Sequence, residues 1–263
     1  MAEFFVGTMG YGYKDWQDGV FYPAGMPARN QLAHYSSIFN AVEMDTTFYA
    51  TPRHEVVQRW QQSVPADFIF CPKTPRIITH DHRLRDEAIP LMAEFLEAVA
   101  HFGENLGPIL IQFPPDFTVT EEEALQAFLS QLPDAYRYTV EFRDDSWFRR
   151  ATSEMLKERH IAWTSTDYLY MPKQVHATTD FIYLRLLGRH GSYKTKDRER
   201  VDSTPRVTWW RDLLAPFRDK VKAVYIFAND DYAGHSPTTA NRMKAALGLP
   251  IVSTRPPQQG RLL

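Results

Sequence analysis

The feature that most constrains this chain is a repeated alternation between two hydrophobic periods. Eight segments read as strands, at residues 3–8, 41–45, 67–71, 107–113, 138–143, 161–166, 180–186 and 222–228. Most are rich in Val, Ile, Phe and Tyr and are bounded by turn residues. Helical patterns fall between them. Residues 28–40 place Leu32, Tyr35 and Phe39 at helical spacing, and residues 86–102 do the same with Ile89, Met92, Leu96 and Val99. A Thr51-Pro52 start predicts a helix over 52–63, and Thr120 followed by three glutamates is a capping box for 120–132. Helices are also predicted over 146–159, 204–219 and 237–247, the last opening Ser236-Pro237 and ending at Gly248. Strands separated by helices form right-handed β-α-β units. Eight such units in 263 residues fit an α/β chain closed into a (β/α)8 TIM barrel. An open doubly wound sheet is the competing fold. One link departs from the pattern, because residues 167–179 show no helix period. Nothing resembles a linker or repeat, so residues 1–263 read as one domain, with a peripheral tail from about residue 252.

Composition narrows the function classes. With 44% hydrophobic residues the chain has ample core material. Thirty basic residues against 32 acidic ones give a net charge of −2, so no global basicity recruits nucleic acid or anionic lipid. No apolar run is long enough to span a membrane. The start M-A-E-F-F-V-G-T is strand-like and lacks the regions of a signal peptide. Cys71 is the single cysteine, which excludes an internal disulfide, suits a cytoplasmic setting and reads as a small core residue.

Charges inside the strand-like segments point to a site. In V-E-M-D, Val42 and Met44 alternate with Glu43 and Asp45, and in V-E-F-R, Val140 and Phe142 alternate with Glu141 and Arg143. In Y-L-R-L, Arg185 alternates with Leu184 and Leu186. Alternate residues of a barrel strand face the interior and the helices. If the apolar residues pack on helices, the charges face inward near the C-terminal strand ends, where barrel enzymes hold their catalytic groups. A lone buried charge is too costly to keep, but opposite charges converging on one mouth can pair and retain water. An internal salt-bridge plug is the plainer alternative, though ion pairs contribute little over apolar residues.

Other residues reach the same mouth. The loop after strand 1, M-G-Y-G-Y-K-D-W-Q-D-G-V-F-Y-P, offers Tyr13 and Trp16 for stacking or as a lid. Lys73 follows strand 3, with Thr79 and His80 beyond it; Gln112 ends strand 4. Trp147 follows strand 5, and Asn229 ends strand 8. The loop G-R-H-G-S-Y-K-T-K-D-R-E-R after strand 7 carries His190 among glycines and cations, in a position where barrels often hold phosphate. His80-Asp81-His82 is a weak metal signal without partners on strand ends, so no metal and no cofactor is expected. No nucleophile elbow, phosphate loop or zinc-protease motif occurs.

The ordered blocks G-T-M-G-Y-x-Y-x-x-W, F-N-A-V-E-M-D-T-T-F-Y, F-x-F-C-P-K, G-P-I-L-I-Q-F-P-P-x-F, V-E-F-R-D-x-S-W, Y-L-R-L-L-G-R-H-G and A-V-Y-I-F-A-N together resemble the YecE-like family, domain of unknown function 72. The resemblance runs over about residues 5–247. It implies a fold similar to TIM barrels and lends no reaction. The family's recurring residues fall here on Tyr13, Trp16, Tyr22, Pro23, Glu43, Phe48, Tyr49, Lys73, Gln112, Glu141, Arg143, Trp147, Arg185, Gly191 and Asn229. The chain departs after strand 8, where Phe227-Ala228-Asn229 replaces the paired asparagines common in the family.

The expectation is an enzyme acting on a small anionic substrate, phosphorylated or carboxylated and sugar-like, by hydrolase, isomerase or lyase chemistry. Lys73, Arg143 and Arg185 would hold the anion, and Glu43 or Glu141 would move a proton, with Lys73 a further catalytic candidate. Tyr13, Trp16, Tyr49, His80, Gln112, Trp147, His190 and Asn229 would contact the substrate. Two carboxylates about 5–9 Å apart would also serve a glycosidase, ranked second. The ligand partner expected is an anion such as phosphate or sulfate, with no membrane. Interleaved aromatic and basic residues admit nucleic-acid binding, which the net charge disfavours.

Overall fold

The computed structural model describes residues 1–252. Within them, nine parallel strands and eight α-helices form a mixed α/β fold. The strands are β1 (Glu3–Met9), β2 (Ala41–Met44), β3 (Ile69–Pro72), β4 (Ile109–Gln112), β5 (Tyr138–Glu141), β6 (Ala162–Trp163), β7 (Ser165–Asp167), β8 (Phe181–Leu186) and β9 (Ala223–Ala228). They make a six-stranded sheet in the order β3-β2-β1-β9-β8-β7 and a three-stranded sheet β4-β5-β6. Parallel bridges Phe70↔Leu106 and Lys73↔Leu110 join the edge of β3 to the segment around β4.

The strand expected over 161–166 is two strands, with Thr164 between them. Ala162 and Trp163 pair with β5, whereas Ser165–Asp167 pair with β8. Thr164 makes the hand-over. Its amide donates to the Val140 carbonyl at 2.9 Å, and its hydroxyl meets Thr139 Oγ1 at 2.7 Å. Residues 168–180 contain no helix, as the missing period predicts.

The helices are α1 (Ala28–Ser36), α2 (His54–Gln62), α3 (Ala88–Ala100), α4 (Glu122–Leu129), α5 (Arg150–Glu158), α6 (Thr204–Leu214), α7 (Asp230–Ala233) and α8 (Ser236–Leu247). Several are shorter than their apolar patterns. Residues 146–149, for example, form a 3-10 turn (Asp145–Trp147) and an entry to α5. Helix α8 stops where Gly248 adopts φ 75°, the left-handed cap that glycine tolerates.

Each strand is buried on both faces, which explains its near-continuous hydrophobicity. On β8 and β9, Ile182, Leu184, Leu186, Val224 and Ile226 belong to the large core that includes the helices. Phe181, Tyr183, Tyr225 and Phe227 belong to a smaller core with Phe5, Met9, Ala41 and Cys71. Phe5 stacks on Tyr225 at 4.8 Å and Phe181 meets it edge-on at 5.7 Å, closing the smaller core at the N-terminal end of the strands. Glu43 and Arg185 lie on this same face, toward the opposite end. Cys71 is fully buried there, and burial pushes its thiol well up, so it is an inert core residue as expected. No helix among the described residues is long and apolar enough to cross a membrane. The tail beyond residue 252 lies outside the described residues.

Candidate functional site

Three strands bring the buried charges together. Arg185 on β8 reaches Glu43 on β2 with two hydrogen bonds, Nε to Oε2 at 2.9 Å and Nη2 to Oε1 at 2.6 Å. Its Nη1 donates to Glu141 Oε2 on β5 at 2.7 Å. The Tyr183 hydroxyl donates to Glu43 Oε2 at 2.8 Å, and Met9 Sδ lies 3.4 Å from Nη2. Both carboxylates are fully buried. The inward facing of Glu43, Glu141 and Arg185 follows the alternation in the strands, since each neighbouring apolar residue packs in the large core.

This triad is a floor, and a cavity of about 420 Å³ stands on it. Its walls include Lys73, Arg143, Arg185, Asp45, Tyr13 and Tyr49. Arg143 donates from Nε to Glu141 Oε1, and its guanidinium lies 4.4 Å from the Tyr168 ring centre. Both Nη groups have no hydrogen-bond partner among the described residues. Lys73 is aimed by its own backbone. Its amide donates to Thr47 Oγ1 at 3.0 Å, and that hydroxyl is 2.7 Å from the Lys73 carbonyl. The ammonium sits 3.9 Å from the Phe48 ring centre and 3.9 Å from Asp45 Oδ1, again with no hydrogen bond. Asp45 Oδ1, also 3.9 Å from Arg185 Nη2, is buried without a hydrogen-bond partner.

Electrostatics separates the acids. Burial pushes the Glu43 carboxyl up, more than Arg185 pulls it down. Burial also opposes charge on Glu141, but the Arg143 and Arg185 guanidiniums outweigh it and hold that carboxyl below its ordinary value. Burial depresses Lys73, with Asp45 opposing and Arg185 reinforcing the shift. Arg185 stays charged because Glu141 and Glu43 overcome its burial.

Of the residues singled out in the sequence, Tyr13, Tyr49, Lys73, Arg143, Arg185, His190 and Asn229 line the cavity. Asn229 also caps α7, accepting from the Asp231 amide at 2.8 Å. His190 is nearly free in solvent, 3.5 Å from Asp231 Oδ2. Glu43 and Glu141 lie beneath Arg185 and do not line the cavity. Both grip the one Arg185 guanidinium, which stands between them. Gln112 turns back to the Phe113 carbonyl. Trp16 is fully buried against Tyr13, Phe21 and Tyr22, and Trp147 donates to the Phe117 carbonyl at 2.7 Å, so both are core anchors. His80 lies outside the lining, on a π-helical turn (Ile77–Asp81), packed edge-on against Phe48 at 5.1 Å. Burial and Lys73 lower its pKa to about 4.

Sequence reasoning missed Asp231 and Tyr168, and it named the loop after strand 7 without singling out its Lys196 and Gly188; all four are in the lining. Gly188 carried a readable signal. Its φ is 69°, and an added Cβ would fall 2.1 Å from the Asp231 carbonyl oxygen, so only glycine lets the chain after β8 pack against α7. Tyr168 had no such signal, since it follows β7 in the link without a period. Among the described residues no group of three His, Cys, Asp or Glu could hold a metal ion.

The model of the family "Protein of unknown function DUF72" matches residues 5–261. The chain belongs to the DUF72 family. It is 38% identical over 147 residues to UPF0759 protein YecE of Escherichia coli strain K12, covering 56% of this chain and 54% of that protein. UPF0759 protein YunF of Bacillus subtilis strain 168 is 29% identical over 152 residues, covering 55% and 52%. The chain thus spans about half the length of the curated relatives it matches. A crystal structure of a DUF72 family protein from Thermotoga maritima superposes with TM-score 0.80 at 27% identity, covering 94% of this chain and 99% of that one. Another, from Enterococcus faecalis, gives TM-score 0.77 at 21% identity, covering 97% and 99%. These likenesses supply a family and a fold. The family's function is not established.

Proposed function

We propose that this DUF72 protein is an enzyme that takes a small anionic substrate, phosphorylated or carboxylated, into the cavity above the Arg185 floor. The observation that carries this reading is the incomplete pairing of Lys73 and Arg143. Each is oriented and largely buried, yet neither Lys73 Nζ nor either Arg143 Nη has an acceptor. These donors open onto the cavity rather than being sealed in the core, so a bound anion can reach them. A phosphate, sulfate or carboxylate would supply the missing acceptors, and a guanidinium anchored through Nε leaves its two Nη groups for a fork-like grip.

The carboxylate placed to move a proton is Asp45, which reaches the cavity, lies beside Lys73 and has an unpaired oxygen. Glu43 and Glu141, expected to act directly, would serve by holding Arg185 and Arg143. Asn229 would orient the substrate. The strand order and the two edge contacts, through the Lys73 bridge and Thr164, support a closed (β/α)8 barrel with this cavity at its C-terminal mouth. The lone buried Cys71 suits a cytoplasmic setting.

The test is a panel of phosphorylated and carboxylated metabolites, read by thermal shift and by turnover, on wild type and on Lys73→Met and Arg143→Met. Binding by wild type that both variants lose is the expected result. A wild-type protein that binds and converts no member of the panel overturns the proposal.

A further inference from the structure

A second compartment of about 460 Å³ adjoins the first and shares Tyr13, Asp45 and Tyr49 with it. Its character is different. Where the first is walled by charges, this one is walled by Tyr11, Met44 and the glycines around Tyr11, with Gln31 from α1 at its back. Gln31 is only 4% exposed, and its amide makes no hydrogen bond among the described residues. Its amide atoms are not sealed in the core but reach the compartment that Gln31 lines, where a ligand can pair with them. At the mouth Tyr49 is 83% exposed, an aromatic face held out over both compartments.

We infer that the substrate's anionic group is joined to a planar ring with hydrogen-bonding edges, and that the ring occupies this second compartment with Gln31 reading its edge. The inference rests on the anion site proposed above. A glutamine amide offers a donor and an acceptor side by side, which matches a ring edge that presents both. Nucleobases have such edges, and their flat faces stack on aromatic side chains. The chemical class is therefore a nucleoside monophosphate rather than a plain sugar phosphate. The shared Asp45 and Tyr49 would lie along the spacer between phosphate and ring. Nothing in this reading requires a polymer, and the net charge of −2 gives no extended surface for one.

Calorimetric titration with inorganic phosphate, ribose 5-phosphate and the four common nucleoside 5′-monophosphates tests it. At least one nucleotide should bind the wild-type protein about tenfold or more tightly than ribose 5-phosphate. Gln31→Leu should bring that nucleotide down to the affinity of the sugar phosphate. If ribose 5-phosphate and all four nucleotides bind wild type equally, and Lys73→Met weakens them all, the ring is overturned while the anion site stands. If the leucine variant keeps the full nucleotide preference, Gln31 does not read the ring and the inference falls. If neither phosphate nor any phosphate ester binds wild type, both this inference and the anion reading of the first cavity fail.

Discussion

The floor and the wall of the cavity use the same residue types to opposite ends. In the floor, Arg185 is bonded to Glu43 and Glu141, Glu43 also accepts from Tyr183, and neither carboxylate sees solvent. In the wall, Lys73 touches Asp45 only at 3.9 Å, and Arg143 anchors one nitrogen while two remain open. A completed ion network fixes geometry and has little left to offer a ligand. An incomplete one keeps its donors available. Charge type alone therefore does not distinguish a structural group from a binding group, whereas completeness of pairing does.

Mutations should separate the two regions. Arg185→Met leaves two buried carboxylates without their shared partner and should destabilise the fold by about 3–5 kcal/mol, measured by urea unfolding. A loss under about 1 kcal/mol would mean the floor is not the keystone that its pairing suggests. Lys73→Met removes a buried charge that lacks a close partner. Stability should hold or rise, while affinity for the anion falls by about tenfold or more. Equal losses of stability and affinity would erase the distinction between floor and wall. Arg143→Lys keeps the charge and loses the fork, so a smaller drop is expected, about three- to tenfold, in the same titration.

The smallest effect lies outside both regions and is read as pH dependence. Burial holds His176 and His235 down to about 4, from an ordinary 6.5. As pH falls from about 6.5 to 4 the unfolded chain takes up protons that the folded one refuses, so these groups withdraw stability. Asp230 acts the other way. Burial raises it to about 6, so between about pH 6 and 4 the folded state binds a proton that the unfolded state does not. Asp230→Asn should therefore steepen the acid loss of melting temperature, and His176→Phe should flatten it. The reverse pair of slopes would show that these side chains are not buried as described.

Much of the fold was legible because the strands are buried on both faces and the helices on one, and those two periods differ. The break at Thr164 was not, since a change of pairing partner leaves no mark on hydrophobic alternation. The charges of β2, β5 and β8 were legible for the same reason as the strands, because each interrupts an apolar run at an alternate position. Which of them would finish buried beneath Arg185 and which would face the cavity depended on side-chain reach across strands. In the sequence Glu43 and Glu141 looked reactive, while Asp45, the carboxylate that reaches the cavity, was given no role. Trp16, in a loop with glycines, and Trp147, just past a strand end, looked like ligand platforms because aromatic residues at such places also make core anchors. Gln31 sits on a helix whose sequence advertises only its apolar face, so its open amide became visible only with the second compartment.

Diffraction from crystals of the wild-type protein soaked in inorganic phosphate tests the central claim most directly. Density for phosphate within hydrogen-bonding distance of Lys73 Nζ and an Arg143 Nη, with the Arg185 bridge to Glu43 and Glu141 unbroken, is the predicted result. Phosphate seated elsewhere on the molecule while that cavity holds only water, or bound by an Arg185 that has let go of its glutamates, would contradict the account.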